Sequence, residues 1–533
     1  MDASSVSVPI PGKGDKTWRI DVPMRSFQGG AWGGVVGVPW INTLVTGYYP
    51  QLIALYTRLG VSFRRSDFSY SFSLLSPPSG TKPRQINARM LYNGASGRAG
   101  VSMPSYMEAA YRATKGQSLL VRAAVKAWTL LVFTLVTAQI IICYLRLLSF
   151  AVPLCRTRGS ELVTFAEWAE QTVPRGVFAR WSGANVVWRE FVDMVLVPLF
   201  SAVCTAPAED VLRHPVEEFL GEFFFFWFVR ASFERFGKLD YVWLTFGTHH
   251  YVVINGVRDV VSRLSSTVKN IHVSSTISAI FPDPQALELA SIQCDTPQGP
   301  VIHSGFHHII LASQATRAIP LLASYHGSLA KEDPKRQAVE DQIRCLRAFE
   351  YRNTIVINHT DSSMMPDNVE DQRELNLIYS SRDPAAFTDE KTEFPDCVST
   401  SHTMATHVLA LPRGLARIYQ TTNPFVPLEK SRVLSVARLE RAVVTVESKE
   451  ALKGLSRENE RRWWQCASQG EYRLGKLQGA GRASNSKGPG IWICGSFAYA
   501  GIPLLEGCVV SARNVVEQGV WKSEGIEVGC SPW

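Results

Sequence analysis

The sequence predicts a mixed α/β (α+β) fold built from more than one unit, and three observations carry that expectation. The chain has 533 residues, 46% hydrophobic and only 19% charged, which is enough apolar surface to offset chain entropy and too much for one small core. Strand-like alternation of apolar and polar residues recurs between stretches of helical apolar spacing. Near the C-terminus an apolar run ends in glycine and leads to a helix whose start carries a second glycine.

Taken in order, residues 16–21 alternate as a strand does, and 50–60 read as a helix opened by Pro50 and closed by Gly60. Residues 68–73 alternate again. Between 160 and 240 the apolar spacing is helical, with an aromatic block at 223–228 that reads as a helix buried on every side or as a membrane- or substrate-contacting surface. Residues 271–280 are β-branched and alternating, and 305–312 are one apolar run suited to a buried strand before a helix at 317–324. Further strands are expected at 354–359, 404–411 and 416–421, and a loop at 472–490. Residues 491–495 read as a buried strand entering a glycine turn, and Leu505, Glu506 and Gly507 open a helix through Val516. That geometry lets backbone N–H groups approach an anion or a polar ring edge, and it equally serves as a plain strand-turn-helix packing unit.

One segment breaks the soluble pattern. Residues 127–145 carry no charge and as a helix extend about 28 Å, close to the thickness of a bilayer core. Arg122 and Lys126 precede the segment and Arg146, Arg156 and Arg158 follow it, so charge bias does not set an orientation.

Composition removes several classes. Lys plus Arg number 55 against 47 Asp plus Glu, but the excess is dispersed and forms no basic arm, so no nucleic-acid partner is expected. Ten cysteines are scattered without Cys-x-x-Cys, the pattern of reduced, packed thiols in an intracellular protein. The N-terminus carries no basic-then-apolar signal pattern, and the sequon at Asn358 sits in a strand-like run and is read as chance. Adjacent histidines at 249–250 and 307–308 point to opposite faces of a strand, and His402 and His407 are not at helical ligand spacing, so no metal is expected. Neither a Gly-x-Ser-x-Gly elbow nor a P-loop is present, which leaves hydrolase and nucleotidase readings unsupported.

Several ordered segments resemble the FAD-dependent amine-oxidase superfamily, in particular its branch of predicted NAD/FAD-binding flavoproteins. Residues 20–24, 49–52, 59–61 and 67–72 look like that branch's early segment, and 243–248 with Tyr251 and Val252 are similar to its tryptophan, glycine and tyrosine-valine stretch. Residues 271–280 look like the strand whose backbone receives the adenine end of FAD, with Ile277 where the family usually has valine. Residues 308–312 are similar to the second flavoprotein strand signature, and 359–361, 365–366 and 422–424 fall in family order. Residues 492–497 with Glu506 and Gly507 look like the segment along the flavin ribityl chain and ring.

The resemblance implies FAD as cofactor, with Ile277, Gly495, Ser496, Leu505, Glu506 and Gly507 as its contacts, and leaves the catalytic residues unknown. It implies an incomplete Rossmann-like FAD-binding domain (1–73, 241–330 and 488–519) interleaved with a substrate domain, helical over 160–240 and sheet over 331–470; the apolar helix at 120–156, read from its composition, is expected to be membrane-associated. The chain departs from the family pattern in two places. The family opens with a strand, Gly-x-Gly-x-x-Gly and a helix, the element that receives pyrophosphate, and nothing before Thr17 supplies it, because Gly12-Lys13-Gly14 lacks both length and a preceding strand. An N-terminally truncated product is expected, or else a fold kept without the cofactor, since a central parallel strand without neighbours leaves exposed sheet edges. In addition, residues 31–47 interrupt the family pattern as an extraneous insert, a translated intron or a loop.

If 17–73 and 160–519 build one domain, a single pass at 127–145 would divide one sheet between two sides of a bilayer. About 29 residues also fall short of the roughly 34 needed for a hairpin of two passes. A monotopic helix in one leaflet is therefore expected, with a single pass and a buried core helix as the alternatives. The functional expectation is a flavin-dependent oxidoreductase that moves hydride from a small, lipid-like substrate to the flavin. The alternative is a non-catalytic, membrane-associated remnant or interaction protein.

Overall fold

The computed structural model describes residues 4–9, 17–22, 43–45, 49–66, 68–78, 84–94, 99–151, 163–220, 250–380, 398–409, 417–458, 472–480, 482 and 488–526. The aromatic block at 223–228, the stretch 243–248, Gly12-Lys13-Gly14 and residues 31–42 of the insert lie outside them. The protein is a mixture of helix and sheet organised around two main sheets.

The first sheet has five strands in the order Gly490–Ile493, His308–Leu311, Thr17–Val22, Ser4–Pro9 and Asn270–His272. The first three are parallel, with Ile310 flanked by Trp492 on one side and Ile20 on the other. His308–Leu311 is apolar at consecutive positions because both of its faces are covered. Ile309 and Leu311 pack with Ala315, Ala318 and Leu322 of the Ala315–Ser328 helix, whereas Ile310 packs with Trp492, Cys494, Val515 and Val520 on the opposite face. The edge expected to be bare is occupied by an N-terminal hairpin, Ser4–Pro9 antiparallel to Thr17–Val22. The seven positions between the two strands are fewer than the roughly dozen that a parallel crossover needs, which agrees with the antiparallel pairing.

Two expected strands are each divided between sheets. The run 271–280 breaks at Ser274, which adopts a positive φ of 54°, so that Asn270–His272 joins the parallel sheet and Thr276–Pro282 joins a three-stranded antiparallel sheet. The run 305–312 divides at His307, with Gly299–Phe306 in that antiparallel sheet and His308–Leu311 in the parallel one. Periodicity shows which residues are buried, but it does not show where an apolar run changes partner.

The second main sheet has eight strands in the order Val433–Val443, Glu350–His359, Tyr419–Thr422, Thr403–Val408, Leu375–Ser380, Tyr70–Ser76, Gln85–Tyr92 and Val101–Ser102. Leu375–Ser380 and Tyr70–Ser76 run parallel and the remaining pairs antiparallel. One face encloses Leu75, Ile86, Ile357, Met364, Ile378, Met404 and Phe425. The other receives Leu199 and Ala202 from a helical unit, fastened by a hydrogen bond of 2.7 Å between the Ser201 and Thr403 hydroxyls and by Thr354 Oγ1 donating to the Thr205 carbonyl at 2.7 Å. The helical unit has its own aromatic core of Phe165, Trp168, Trp188, Phe191, Phe200 and Phe219, the last two stacked at 3.9 Å. The Asn358 side chain is used inside the sheet, donating to Ser435 and accepting from Gln420 at 2.9 Å each.

A small sheet joins Thr43–Val45, which belongs to the expected insert, to His250–Val253 and Phe63–Arg65. Cys143, Cys294, Cys345 and Cys494 are buried free thiols. Burial raises the pKa of Cys143, Cys345 and Cys494 above the ordinary thiol range, which keeps those three protonated.

Candidate functional site

The three parallel strands end together, and in an open α/β sheet the crevice beyond such carboxyl ends is where ligands bind. Gly490–Ile493 runs into Gly495, whose φ of 151° turns the chain sharply before the short helical turn Ser496–Ala498. A Cβ on Gly495 would come within 3.1 Å of the Phe497 ring, so the turn closes tightly on itself. The helix Leu505–Asn514 then starts against this turn. A Cβ on Gly507 would lie 2.9 Å from both the Ser496 carbonyl oxygen and Tyr499 Cβ, a close approach that only glycine permits.

The two glycines bring the expected contacts Gly495, Ser496, Leu505, Glu506 and Gly507 into one place, but their polar groups have different uses. Gly495 N–H is already bonded to Ser511 Oγ at 3.0 Å, and that hydroxyl donates back to the Gly495 carbonyl at 3.0 Å. Gly507 N–H is bonded to the Leu504 carbonyl. The N–H groups of Leu505 and Glu506, on the first turn of the helix, have no acceptor among the described residues. They are the donors this site offers.

Ile277 lies elsewhere. It sits at a bulge in the three-stranded antiparallel sheet, paired with Cys294, and shares with the site only the apolar core that contains Phe497 and Ala498.

The Glu506 carboxylate points away from its own helix. Its two oxygens accept the N–H groups of Gln51 and Leu52 at 2.9 Å each, capping the Pro50–Arg58 helix, whose N-cap Tyr49 supplies no side-chain bond. Burial pushes the Glu506 carboxyl up to about 7, although the Leu52 and Gln51 donors oppose the shift. Arg513 reinforces the joint by donating to Gln51 Oε1 at 2.7 Å and to Glu517 at 3.0 Å. Gln51 and Leu52 were legible only in retrospect: a helix with Pro50 at its start and no acid in its first turn must be capped from outside.

Behind the same turn, Phe349, Ser448, Lys449, Phe497, Tyr499 and Pro503 line a cleft of about 20 Å³ between the turn and the eight-stranded sheet. Lys449 Nζ lies 3.2 Å from Glu217 and 3.0 Å from Glu218. Burial works against its charge, but the two carboxylates outweigh it and hold the ammonium above the usual lysine range. On the strand side, His308 is buried between Trp492, whose Nε1–H donates to Nδ1 at 3.1 Å, and Glu524, 3.0 Å from Nε2; Arg482 pairs with the same carboxylate at 2.9 Å. Among the described residues no three His, Cys, Asp or Glu side chains gather into a metal-binding group.

The long apolar helix is Leu119–Ala151, 33 residues, and it is long and apolar enough to cross a membrane. Only 11% of its most apolar stretch is buried. Both of its ends meet the same body. Lys126 lies over the Tyr111 ring at 5.9 Å, next to a helix tied down by Ser105 and Arg112 bonding Asp371 and Glu370. At the other end Cys143 and Leu147 are buried in the helical unit, and Arg146 turns inward to donate to the Thr172 carbonyl at 2.7 Å and to lie over the Trp188 ring. Trp128, Leu131, Leu135, Ile142 and Leu145 face outward at half exposure or more, and so do Leu119 and Ile141 on another side.

No family model matches the sequence, and no curated protein matches it. Solved structures do align. Putrescine oxidase bound to putrescine covers 96% of this chain and 90% of its own at 11% identity, with a TM-score of 0.39. A variant of that enzyme from a redesign of cofactor binding covers 88% and 85% at 12% identity, with a TM-score of 0.37. OxyS anhydrotetracycline hydroxylase from Streptomyces rimosus covers 51% and 43% at 10% identity, with a TM-score of 0.22. Alignments this loose transfer no residue role.

Proposed function

We propose that this chain is a flavin-dependent oxidoreductase of amine-oxidase type that acts on a small, lipid-like substrate while resting on one leaflet of a membrane. The observation that carries the reading is the pair of free N–H groups, Leu505 and Glu506, at a helix start beyond the carboxyl ends of Gly490–Ile493 and His308–Leu311. A helix N-terminus favours negative charge and polar ring edges, so this donor set fits the polar rim of a flavin. FAD, when bound, accepts hydride from a substrate C–H bond.

The chain's own residues orient and exclude. Gly495 and Gly507 hold the turn against the helix start, Ser511 fixes the turn's backbone, and Phe497 and Tyr499 line the cleft behind it. The Leu119–Ala151 helix supports the one-leaflet attachment, because a helix attached at both ends to one body can lay its exposed apolar side chains in lipid without threading the bilayer.

One observation favours the second reading, a non-catalytic membrane-associated protein. The cleft beside Phe497 has room for about one water. Purified full-length chain reconstituted with FAD separates the two readings. Flavin absorption that stays with the protein through gel filtration is the expected result, and Gly507→Val should release the flavin while far-UV circular dichroism is unchanged. Protein that emerges colourless after reconstitution establishes the non-catalytic reading instead.

A further inference from the structure

We propose that Val177–Trp181 is a second lipid-inserting element, a short aromatic wedge that docks on anionic bilayer surfaces. The proposal rests on the one-leaflet reading of Leu119–Ala151 and goes beyond it by naming a separate anchor and the lipid charge it takes. Val177, Phe178 and Trp181 are 86%, 78% and 83% exposed, more than almost any other large apolar side chain described, and the two rings lie together at 6.2 Å. The wedge is bounded by Gly176 and Gly183, both in left-handed backbone with φ of 121° and 70°, which form sharp corners at each end and set the five residues apart as a protrusion.

Charge selects the occupant. From 171 to 189 the sequence contains no Asp or Glu, while Arg175 and Arg180 flank the aromatic tip. The long helix follows the same rule: between 109 and 160 there is no acid and there are seven basic residues. An apolar tip in a cationic collar is complementary to acyl chains beneath a layer of anionic headgroups. Position agrees, because the next helix, Ala184–Phe191, lays Trp188 against Phe150 at 6.1 Å and under Arg146, fastening the wedge beside the C-terminal end of the long apolar helix. Two apolar elements fixed to one body meet a single surface more readily than a bilayer interior.

Full-length protein is mixed with vesicles of phosphatidylcholine alone or with phosphatidylserine added, separated by flotation, and treated with trypsin before fragments are mapped by mass spectrometry. The expected result is cleavage after Arg180 in free protein and protection on the phosphatidylserine vesicles. In Phe178→Ser/Trp181→Ser, whose changes lie on exposed side chains, protection should be lost and partition onto those vesicles should weaken by about tenfold or more. Continued cleavage after Arg180 in protein that floats overturns the wedge and leaves the long helix as sole anchor. Equal protection on both vesicle types overturns the anionic selectivity. Complete loss of flotation in the double variant sinks the long helix as an anchor and leaves the wedge standing.

Discussion

Glu506→Ala is expected to destabilise the protein by about 2–5 kcal/mol, because the Gln51 and Leu52 N–H groups lose their only described acceptor where the chain is too buried for water to replace it. The exposed pair Arg344–Asp341 sets the scale for comparison, contributing about 0–1 kcal/mol. The cost should be read as a lower urea midpoint. Glu506→Gln keeps one acceptor and should recover part of the loss. It should also change the pH dependence. A carboxyl with its folded pKa raised from 4.5 to about 7 favours the folded state most at low pH, and that contribution fades as pH rises through 7. Wild type should therefore lose stability between pH 5 and 8 relative to the glutamine variant. Parallel stability curves for the two proteins across that range would exclude the buried cap.

Acidification below pH 6 should unfold the protein steeply, through histidines whose surroundings hold the ring neutral. Burial pushes His308 and His359 down to about 4 and His407 to about 3. A histidine depressed in the folded state contributes stability that is complete above its unfolded pKa near 6.5 and is lost as pH falls toward 4. Depressions of this size correspond to about 3–5 kcal/mol for each residue. At His308 the reason is visible: the Trp492 N–H points at Nδ1, so a second proton there would set one donor against another. Its neighbour Glu524 and the charge on Arg482 act in opposite directions, and burial outweighs the carboxylate. Melting temperature measured from pH 7 to 4 should fall throughout that window. A flat profile down to pH 4.5 would show that these rings protonate without cost.

Much of the fold was legible because it follows from local pattern. The helix from Pro50, the strand from Tyr70, the strand and glycine turn through Gly495 and the helix from Leu505 appear within a few residues of where spacing and punctuation place them. The apolar run at His308–Leu311 was recognisable as a strand covered on both faces, and Gly495 stood out because a strand that ends in glycine marks a turn. The divisions at Ser274 and His307 were not legible, since the alternation of 271–280 continues across the first and the apolar run of 305–312 across the second. The candidate site was half visible. Its glycines were marked by position, but Ser511, Gln51 and Leu52 carry no signal of their own, and Ile277, drawn in by resemblance, belongs to another sheet.

By itself, the order of residues determined which segments bury an apolar face and which turn: the doubly covered strand, the uncharged helix and the glycine-bounded start at Leu505. Only the tertiary structure decided what each segment meets. It closed the sheet edge with an N-terminal hairpin, tied both ends of the apolar helix to one body, and gave the Glu506 side chain a use of its own as a cap on a helix 454 residues earlier in the chain. Burial periodicity is a property of neighbours along the chain. The partner of a buried carboxylate or an edge strand is selected by which distant surfaces come together when the core forms.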